Sequence, residues 1–177
     1  MNYSTQMQAA RLGIITPQME AVAQKEYRTG EEIRDLVAKG QVVICANHKH
    51  TCLDPQGIGS MLRTKINVNL GVSRDCRDYD EEMKKVMAAV HMGAEAIMDL
   101  SSHGDTAPFR RKLTSECPAI IGTVPVYYAV INYKRDLATL SAKDFIDVIR
   151  LHAEDGVDFV TPVSYTHLRA HETGAYL

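Results

Sequence analysis

From Lys65 onward, the sequence repeats one unit, in which a short apolar strand is followed by an amphipathic helix of similar length. The predicted strands are KINVNLG (Lys65–Gly71), EAIMDL (Glu95–Leu100), AIIGTVPVY (Ala119–Tyr127) and VDFVT (Val157–Thr161). Strands that alternate with helices in this way form parallel sheets with right-handed crossovers. The alternation therefore predicts an α/β fold built on a parallel sheet.

Two architectures contain such a sheet: an open doubly wound sheet and a closed (β/α) barrel. An open dinucleotide-binding sheet carries a Gly-rich turn after its first strand, and LGVSRD at Leu70–Asp75 is not such a turn. The first strand alternates Lys65, Asn67 and Asn69 with apolar residues, which gives it one polar and one apolar face. We therefore predict the first half of a (β/α)8 TIM-type barrel, because four strands cannot close a barrel of eight.

A small helical region precedes the alternating units. Two helix starts are marked by capping residues, namely Thr16 followed by Pro17, and Thr29 paired with Glu32. One strand, QVVICA at Gln41–Ala46, follows these helices. The chain is thus predicted to consist of an N-terminal helical region with one strand at 1–56 and a half-barrel at 57–161.

The alternation of strands and helices stops after Thr161. The last sixteen residues, 162–177, read PVSYTHLRAHETGAYL and follow neither the strand period nor the helix period. They resemble the translated sequencing-adapter tails that end many metagenome-derived fragments. We therefore expect a non-native tail, on which no inference about fold or function is based.

Composition limits the classes of partner. With 20 basic and 22 acidic residues, the net charge is −2, so no overall field attracts nucleic acid or an anionic membrane. No run approaches the roughly 20 apolar residues of a spanning helix, and the first residues lack the apolar core of a signal peptide. We expect a cytoplasmic location and neither a nucleic-acid nor a membrane partner.

Three groups of polar or reactive residues are not expected to carry chemistry. Four scattered cysteines without a C-x-x-C pair predict unpaired thiols: Cys45, Cys52, Cys76 and Cys117. A solvated loop is expected for three residues that have no carboxylate or cysteine at ligand spacing: His48, Lys49 and His50. An exposed helix face is expected for three consecutive basic residues: Arg110, Arg111 and Lys112.

In (β/α) barrels, catalytic groups stand at the carboxyl ends of the strands. That rule selects neutral donors and acceptors with a single carboxylate: Asn67, Asn69, Met98, Asp99, Ser101, Tyr127 and Tyr128. Such a set suits the binding of a polar, phosphorylated small molecule better than acid–base catalysis. Lys65 lies at the start of its strand, away from that end, so Schiff-base chemistry is not expected.

Each of these residues also has a purely structural alternative, which the residues alone leave open. Asn69 could cap a turn, and Met98 could fill a core. Asp99 could cap the following helix, and Tyr127 could simply pack.

Five segments resemble the phosphomethylpyrimidine synthase (ThiC) family: TQMQAARLGIITPQMEAVA, GIGSMLRTKINVNLG, AIMDLSS, GTVPVYYA and HAEDGVDFVT. Together they span nearly all of residues 1–161, in the order that the family has them. The resemblance implies a radical S-adenosylmethionine lyase with a central (β/α) barrel. Such an enzyme converts aminoimidazole ribonucleotide into the hydroxymethylpyrimidine phosphate precursor of thiamine.

The resemblance also implies cofactors. The family binds S-adenosylmethionine, a 4Fe-4S cluster held by a C-x-x-C-x-x-x-x-C motif near the far C-terminus, and zinc held by histidines late in the barrel. That cysteine motif does not occur in these 177 residues. We therefore expect a fragment that holds neither the cluster nor the zinc ligands and is inactive alone, from an enzyme that is a homodimer at full length.

Matched to the family's motifs, the implied substrate-binding residues are Asn69 in KINVNLG, Met98 in MDLS and Tyr127 in GTVPVY. Several motifs depart from the thiamine branch, since MDLSSHG, VPVYYA and NVNLGVSRDC stand where that branch reads MDLSTG, VPIYQA and NANIGTS. These departures lean toward the 5-hydroxybenzimidazole synthases of anaerobic cobamide biosynthesis, which use the same substrate. Both products stay open, and a non-catalytic module that binds a phosphorylated ligand is a remote alternative.

Overall fold

The computed structural model describes residues 3–134 and 137–161, so the predicted tail at 162–177 lies outside the described residues. The N-terminal part contains three helices and a hairpin: α1 (Gln6–Arg11), α2 (Pro17–Lys25), α3 (Gly30–Ala38), β1 (Val42–Ile44) and β2 (Gly57–Gly59). Within the described ranges, none of the helices is long and apolar enough to cross a membrane.

The helices of the N-terminal part begin where their capping residues predict. The Thr16 hydroxyl accepts a hydrogen bond from the Met19 amide at 3.2 Å, and Thr29 with Glu32 forms both bonds of a capping box. The apolar faces of these helices and of β1 form one core: Ala10, Met19, Val22, Ala23, Ile33, Leu36, Val37, Val42 and Ile44. The two predicted helix starts are confirmed.

The hairpin pairs β1 with β2 in antiparallel register, so that Ile44 lies opposite Gly57 and Val42 opposite Gly59. The backbone at Gly59 has φ +145°, and a Cβ there would lie 2.1 Å from the Gln41 carbonyl oxygen. Only glycine fits this close approach. The division of the chain at residue 57 stays a prediction, and β2, which follows it, packs with the N-terminal part.

The second part is a parallel sheet of four strands in chain order, and this confirms the predicted α/β class: β3 (Asn67–Leu70), β4 (Ala96–Asp99), β5 (Ile120–Thr123) and β6 (Phe159–Val160). Each crossover contains a helix or a pair of helices: α4 (Tyr79–His91), α5 (Ala107–Glu116), then α6 (Pro125–Tyr133) with α7 (Ala142–Glu154). Among the described residues, β3 and β6 are the edges of the sheet, and no closed barrel forms.

The two faces of the sheet differ in chemistry. On one face, Val68, Ile97 and Ile121 pack against the apolar sides of α4 and α5, around the fully buried Phe109 and Leu113. The opposite face begins at β3 with Asn67 and Asn69, which are both exposed. The predicted alternation of polar and apolar faces in β3 is therefore confirmed.

Strand β5, the third strand of the parallel sheet, is shorter than predicted. It ends at Thr123, whereas the sequence predicts a strand to Tyr127. Pro125 is the reason, because it has no N–H for a ladder bond and its fixed φ suits the first turn of a helix. Helix α6 begins there, so Tyr127 lies in a helical turn and not at the end of a strand.

The carboxylate of Asp158 binds residues of both parts of the chain. Asp158, just before β6, accepts hydrogen bonds from the Asn47 amide at 2.8 Å and from the Ile121 amide at 2.8 Å. The same carboxylate lies 2.7 Å from Nδ1 of His50, whose Nε2 lies 2.7 Å from the Cys117 carbonyl oxygen. The prediction of a solvated loop is therefore wrong for His50, which is buried because both of its nitrogens have partners here.

A second ion pair fixes the start of β3. The Lys65 amine pairs with the Glu26 carboxylate at the end of α2, and the side chains of both residues are almost completely buried. The Glu26 carboxylate also accepts the Arg63 amide at 2.8 Å. Lys65 is thereby committed to a structural contact, which agrees with the expectation that it carries no Schiff-base chemistry.

Gly122 in β5 should be intolerant of a side chain. A Cβ at this position would lie 2.2 Å from the Phe159 ring of β6, so we expect Gly122→Ala to lower the free energy of unfolding by about 1–3 kcal/mol. The measurement is urea unfolding of the 177-residue chain. In a Phe159→Ala background, the same substitution should cost much less, because the clash is gone. Equal costs in both backgrounds would contradict this packing.

Candidate functional site

The open face of the sheet places two of the three predicted site residues side by side. In the parallel register, Asn69 of β3 lies opposite Met98 of β4, which lies opposite Gly122 of β5, which lies opposite Phe159 of β6. Side chains at paired positions of a parallel sheet point to the same face. We name these four residues the open-face row. Across the sheet they present, in this order, the amide of Asn69, the thioether of Met98 and the aromatic ring of Phe159, and Gly122 adds no side chain.

The amide of Asn69 has a defined partner. Asn67, two residues earlier on the same face, donates from Nδ2 to the Asn69 Oδ1 at 2.9 Å. With its oxygen engaged, Asn69 has its NH₂ group to offer to a ligand acceptor. The row can bind a small polar heterocycle by donating a hydrogen bond and by apolar contact. It cannot itself exchange protons, because none of its side chains is titratable.

Tyr127 lies on a different element. It is in the first turn of α6, directly after the carboxyl end of β5, and the residue is 41% exposed. Its backbone amide donates to the Val124 carbonyl at 3.1 Å, which closes that first turn. The structure therefore pairs Asn69 with Met98 directly and places Tyr127 on the adjoining helix.

Asp99 points to the opposite face from Met98. It is buried and accepts hydrogen bonds from the amide and the hydroxyl of Ser101, and burial raises the pKa of its carboxyl group. The Ser101 hydroxyl in turn accepts the Val72 amide at 3.0 Å. Asp99 therefore ties the loop after β4 to the loop after β3, which is a structural role.

The loop after β3 is held closely against β4. Gly71 has φ +144°, and a Cβ there would lie 2.6 Å from the Ser101 amide nitrogen. Its own amide donates to the buried Glu82 carboxylate at 3.2 Å. Burial opposes ionisation of that carboxyl, but hydrogen bonds led by the one from Lys85 hold the pKa of Glu82 below its usual range. Glycine and an ionised carboxylate together fix this loop at the carboxyl end of β3.

Arg110 is buried, so the prediction of an exposed helix face is wrong for this residue. Its side chain is 1% exposed and donates from Nε and Nη2 to the Asp155 carboxylate at 3.0 and 2.6 Å. The position shares a helix face with Ala107 and Leu113, three residues away on either side, and both are buried. An arginine on the apolar side of an amphipathic helix is the pattern that indicates this pairing in the sequence.

His152 is buried beside Arg110 at the end of α7. Its Nδ1 lies 2.8 Å from the Thr123 hydroxyl at the end of β5, and the Tyr128 ring meets its ring edge-on at 5.1 Å. Among the described residues, its Nε2 has no hydrogen-bond partner. Burial, followed by the neighbouring Arg110 charge, lowers the pKa of His152 to about 3. The imidazole is therefore neutral at physiological pH.

The described residues do not fit a metal or an iron–sulfur cluster. No group of three or more His, Cys, Asp or Glu side chains within the described ranges could hold a metal ion. All four cysteines are free, as predicted. Burial raises the pKa of Cys45 and Cys52 and brings that of Cys117 to about 11, so these three thiols stay protonated.

A groove of about 1120 Å³ lies at the other end of the sheet, near the amino end of β6. The start of α1, the end of β1 and the end of α7 line it, and His50 and Asp158 contribute its buried polar groups. Those two side chains already bind each other. None of the open-face row residues lines the groove, which therefore lies apart from that row.

Comparison with known proteins places the chain among its relatives. The family model described as the radical SAM ThiC family matches residues 5–171. Phosphomethylpyrimidine synthases from Alkaliphilus oremlandii, Clostridioides difficile and Pelotomaculum thermopropionicum are 58%, 55% and 56% identical over 161 residues. The match covers 91% of this chain and 37% of each relative, so the chain spans little more than a third of their length.

The neutral, buried His152 should make folding sensitive to acid. Below pH 6.5 the unfolded chain protonates this imidazole, whereas the folded protein resists protonation until about pH 3. Stability is therefore lost as pH falls, by about 1.4 kcal/mol per pH unit from this group. Urea unfolding between pH 6.5 and 5 should show a smaller loss for His152→Gln than for the unsubstituted chain. Parallel losses would contradict a depressed pKa at His152.

Proposed function

Because this chain belongs to the radical SAM ThiC family, we propose that it is part of a phosphomethylpyrimidine synthase. The complete enzyme would convert aminoimidazole ribonucleotide into hydroxymethylpyrimidine phosphate for thiamine biosynthesis, as a lyase. The three relatives, which are phosphomethylpyrimidine synthases at 55–58% identity, support this activity. Neither the benzimidazole synthase nor the binding module is favoured by any of these matches.

We propose further that the four strands are the first half of a (β/α)8 barrel. Their consecutive order, their parallel register and the helices packed on one face agree with that architecture. The open-face row would then face the interior of the barrel. The two free edges, at β3 and β6, are where the remaining strands would pair.

The substrate site would contain Asn69, Met98 and Tyr127. The observation that carries this proposal is the register that sets Asn69 opposite Met98 on the open face. Asn69 would donate its NH₂ to an acceptor atom of the ribonucleotide, since Asn67 engages its oxygen. Met98 would supply soft apolar contact to the imidazole ring, and Tyr127 would bind from the first turn of α6.

The cofactors are proposed for the complete enzyme and not for these residues. In this family the 4Fe-4S cluster and S-adenosylmethionine supply the radical that starts the reaction. The described residues hold no fitting ligand set for the cluster or for zinc, so we assign them no step of that chemistry. The residues 1–161 would bind and orient substrate and would be inactive alone. A homodimer, a cytoplasmic location and the lack of a nucleic-acid partner stay predictions.

A hybrid enzyme tests the proposed function. Residues 1–161 would replace the aligned 161 residues of the Alkaliphilus oremlandii relative, whose remaining sequence supplies the rest of the protein. The purified hybrid, with its cluster reconstituted, is incubated anaerobically with aminoimidazole ribonucleotide, S-adenosylmethionine and a reductant. We expect hydroxymethylpyrimidine phosphate as the product, identified by mass spectrometry.

The unaltered relative is the control for the assay. A hybrid that folds and binds its cluster but forms no product would contradict the proposal. Formation of hydroxybenzimidazole would also contradict it, and would assign the chain to the other branch.

Asn69 should contribute directly to substrate affinity. In the hybrid, Asn69→Ala removes a donor from the open-face row, and a lost polar partner in a buried site costs about 1–3 kcal/mol. The dissociation constant for aminoimidazole ribonucleotide, measured by calorimetry, should therefore rise roughly 5- to 150-fold. Asn132→Ala, on the exposed side of α6, is the matched control and should leave binding unchanged. An unchanged constant for Asn69→Ala would remove this residue from the site.

A further inference from the structure

We infer that Arg110, Tyr128 and His152 form a positioning cluster that holds the first turn of α6, and with it Tyr127, against the end of β5. This inference deepens the proposed function, because it rests on Tyr127 as a substrate contact. None of the three residues would touch substrate. Each would act through the backbone and side chains that place the Tyr127 ring.

The first turn of α6 has no side-chain cap. Its N-cap is Val124, whose side chain has no acceptor for the free amides of the turn. Pro125 and the bond from the Tyr127 amide to the Val124 carbonyl fix only the local backbone of the turn. By contrast, α7 begins with a complete capping box at Ser141 and Asp144. The orientation of the α6 turn relative to β5 therefore depends on contacts with other elements.

Tyr128 supplies such a contact, next to Tyr127 in the chain. The Arg110 guanidinium lies over the Tyr128 ring, 5.0 Å from its centroid. The His152 ring meets the same ring edge-on, with 5.1 Å between centroids and 78° between planes. A cation on the face and a ring at the edge are both directional contacts, so together they fix the position and the tilt of the Tyr128 ring.

Arg110 is itself held rigidly. Two of its nitrogens bind the Asp155 carboxylate after α7, and Nη1 lies 3.3 Å from the Thr106 hydroxyl. Burial opposes ionisation of Asp155, but hydrogen bonds from Arg111 and Arg110 keep its pKa below the usual range. The guanidinium therefore has a charged partner, so it can serve as a fixed platform for the Tyr128 ring.

His152 links the two ends of the segment that must be fixed. Its Nδ1 binds the Thr123 hydroxyl, the last residue of β5, while its ring contacts Tyr128 five residues later. The segment between them contains Val124, Pro125 and Tyr127. Because the imidazole is neutral, it does not repel the adjacent Arg110 charge.

The chemistry of the cluster favours positioning over stabilisation. A buried ion pair is an inefficient source of stability, because the cost of desolvating both charges offsets much of the attraction. Apolar residues of the same volume would stabilise this interior as well. They would not set the angle of a neighbouring ring. A guanidinium does, because its Nε and Nη2 are both held by Oδ2 of Asp155 while its plane lies over the Tyr128 ring.

The hybrid enzyme described above tests this inference. We expect Arg110→Met and Tyr128→Leu to raise the KM for aminoimidazole ribonucleotide about tenfold, because they let the Tyr127 ring move away from the substrate. Tyr128→Phe keeps the ring that Arg110 and His152 contact, so it should restore the KM of the unsubstituted hybrid. Leu113→Ala, on the buried face of α5, is the control for a loss of stability alone and should lower Tm without raising KM.

Hydrogen exchange of the hybrid gives a second readout that needs no activity. The amides of residues 126–129 should exchange about tenfold faster in Arg110→Met and Tyr128→Leu, with β3 unaffected. A hybrid without activity would contradict the proposed function but would leave this readout in place. The inference is overturned if exchange at 126–129 is unchanged in both variants. It is also overturned if Leu113→Ala raises KM as much as they do.

Discussion

The register of the four parallel strands is the constraint on which the rest of the structure depends. Because side chains alternate along each strand, this register puts Met98 on the open face and Asp99 on the buried one. A shift of one residue would bury Asn69 and expose the apolar face of β3. The same register sends Asp99 to bind Ser101, which secures the loops at the carboxyl ends of β3 and β4. The candidate substrate row and its supporting loops therefore follow from a single pairing.

Buried ion pairs fix the position of the sheet relative to the elements that pack around it. Asp158 joins the loop between β1 and β2 to the amino end of β6 through His50, and the Lys65 pair joins the end of α2 to the start of β3. Arg110 joins α5 to the end of α7 through Asp155. Each pair links elements that are distant in the chain, and breaking one would leave an uncompensated buried charge. Such pairs specify how the elements meet, while the two apolar cores supply most of the driving force for folding.

The sequence predicts the helix starts, the parallel strands and the polar face of β3, because capping boxes and residue periodicity are local properties. It misplaces the end of β5, since Pro125 acts as a helix start there and the apolar run continues past it. It also misses the burial of His50 and Arg110, whose partners Asp158 and Asp155 are 108 and 45 residues away in the chain. The register sets Asn69 opposite Met98, and both belong to the proposed substrate site.

We propose that ligand binds at the carboxyl ends of the strands, on the open-face row. Hydrogen exchange of the hybrid enzyme, measured with and without aminoimidazole ribonucleotide, locates the bound ligand. We expect slower exchange on binding in the loops after β3 and β4 and in the first turn of α6, at residues 71–73, 100–103 and 126–128. Slower exchange at 44–51 instead, in the groove beside His50, would place the ligand at the opposite end of the sheet and rule out binding at the open-face row.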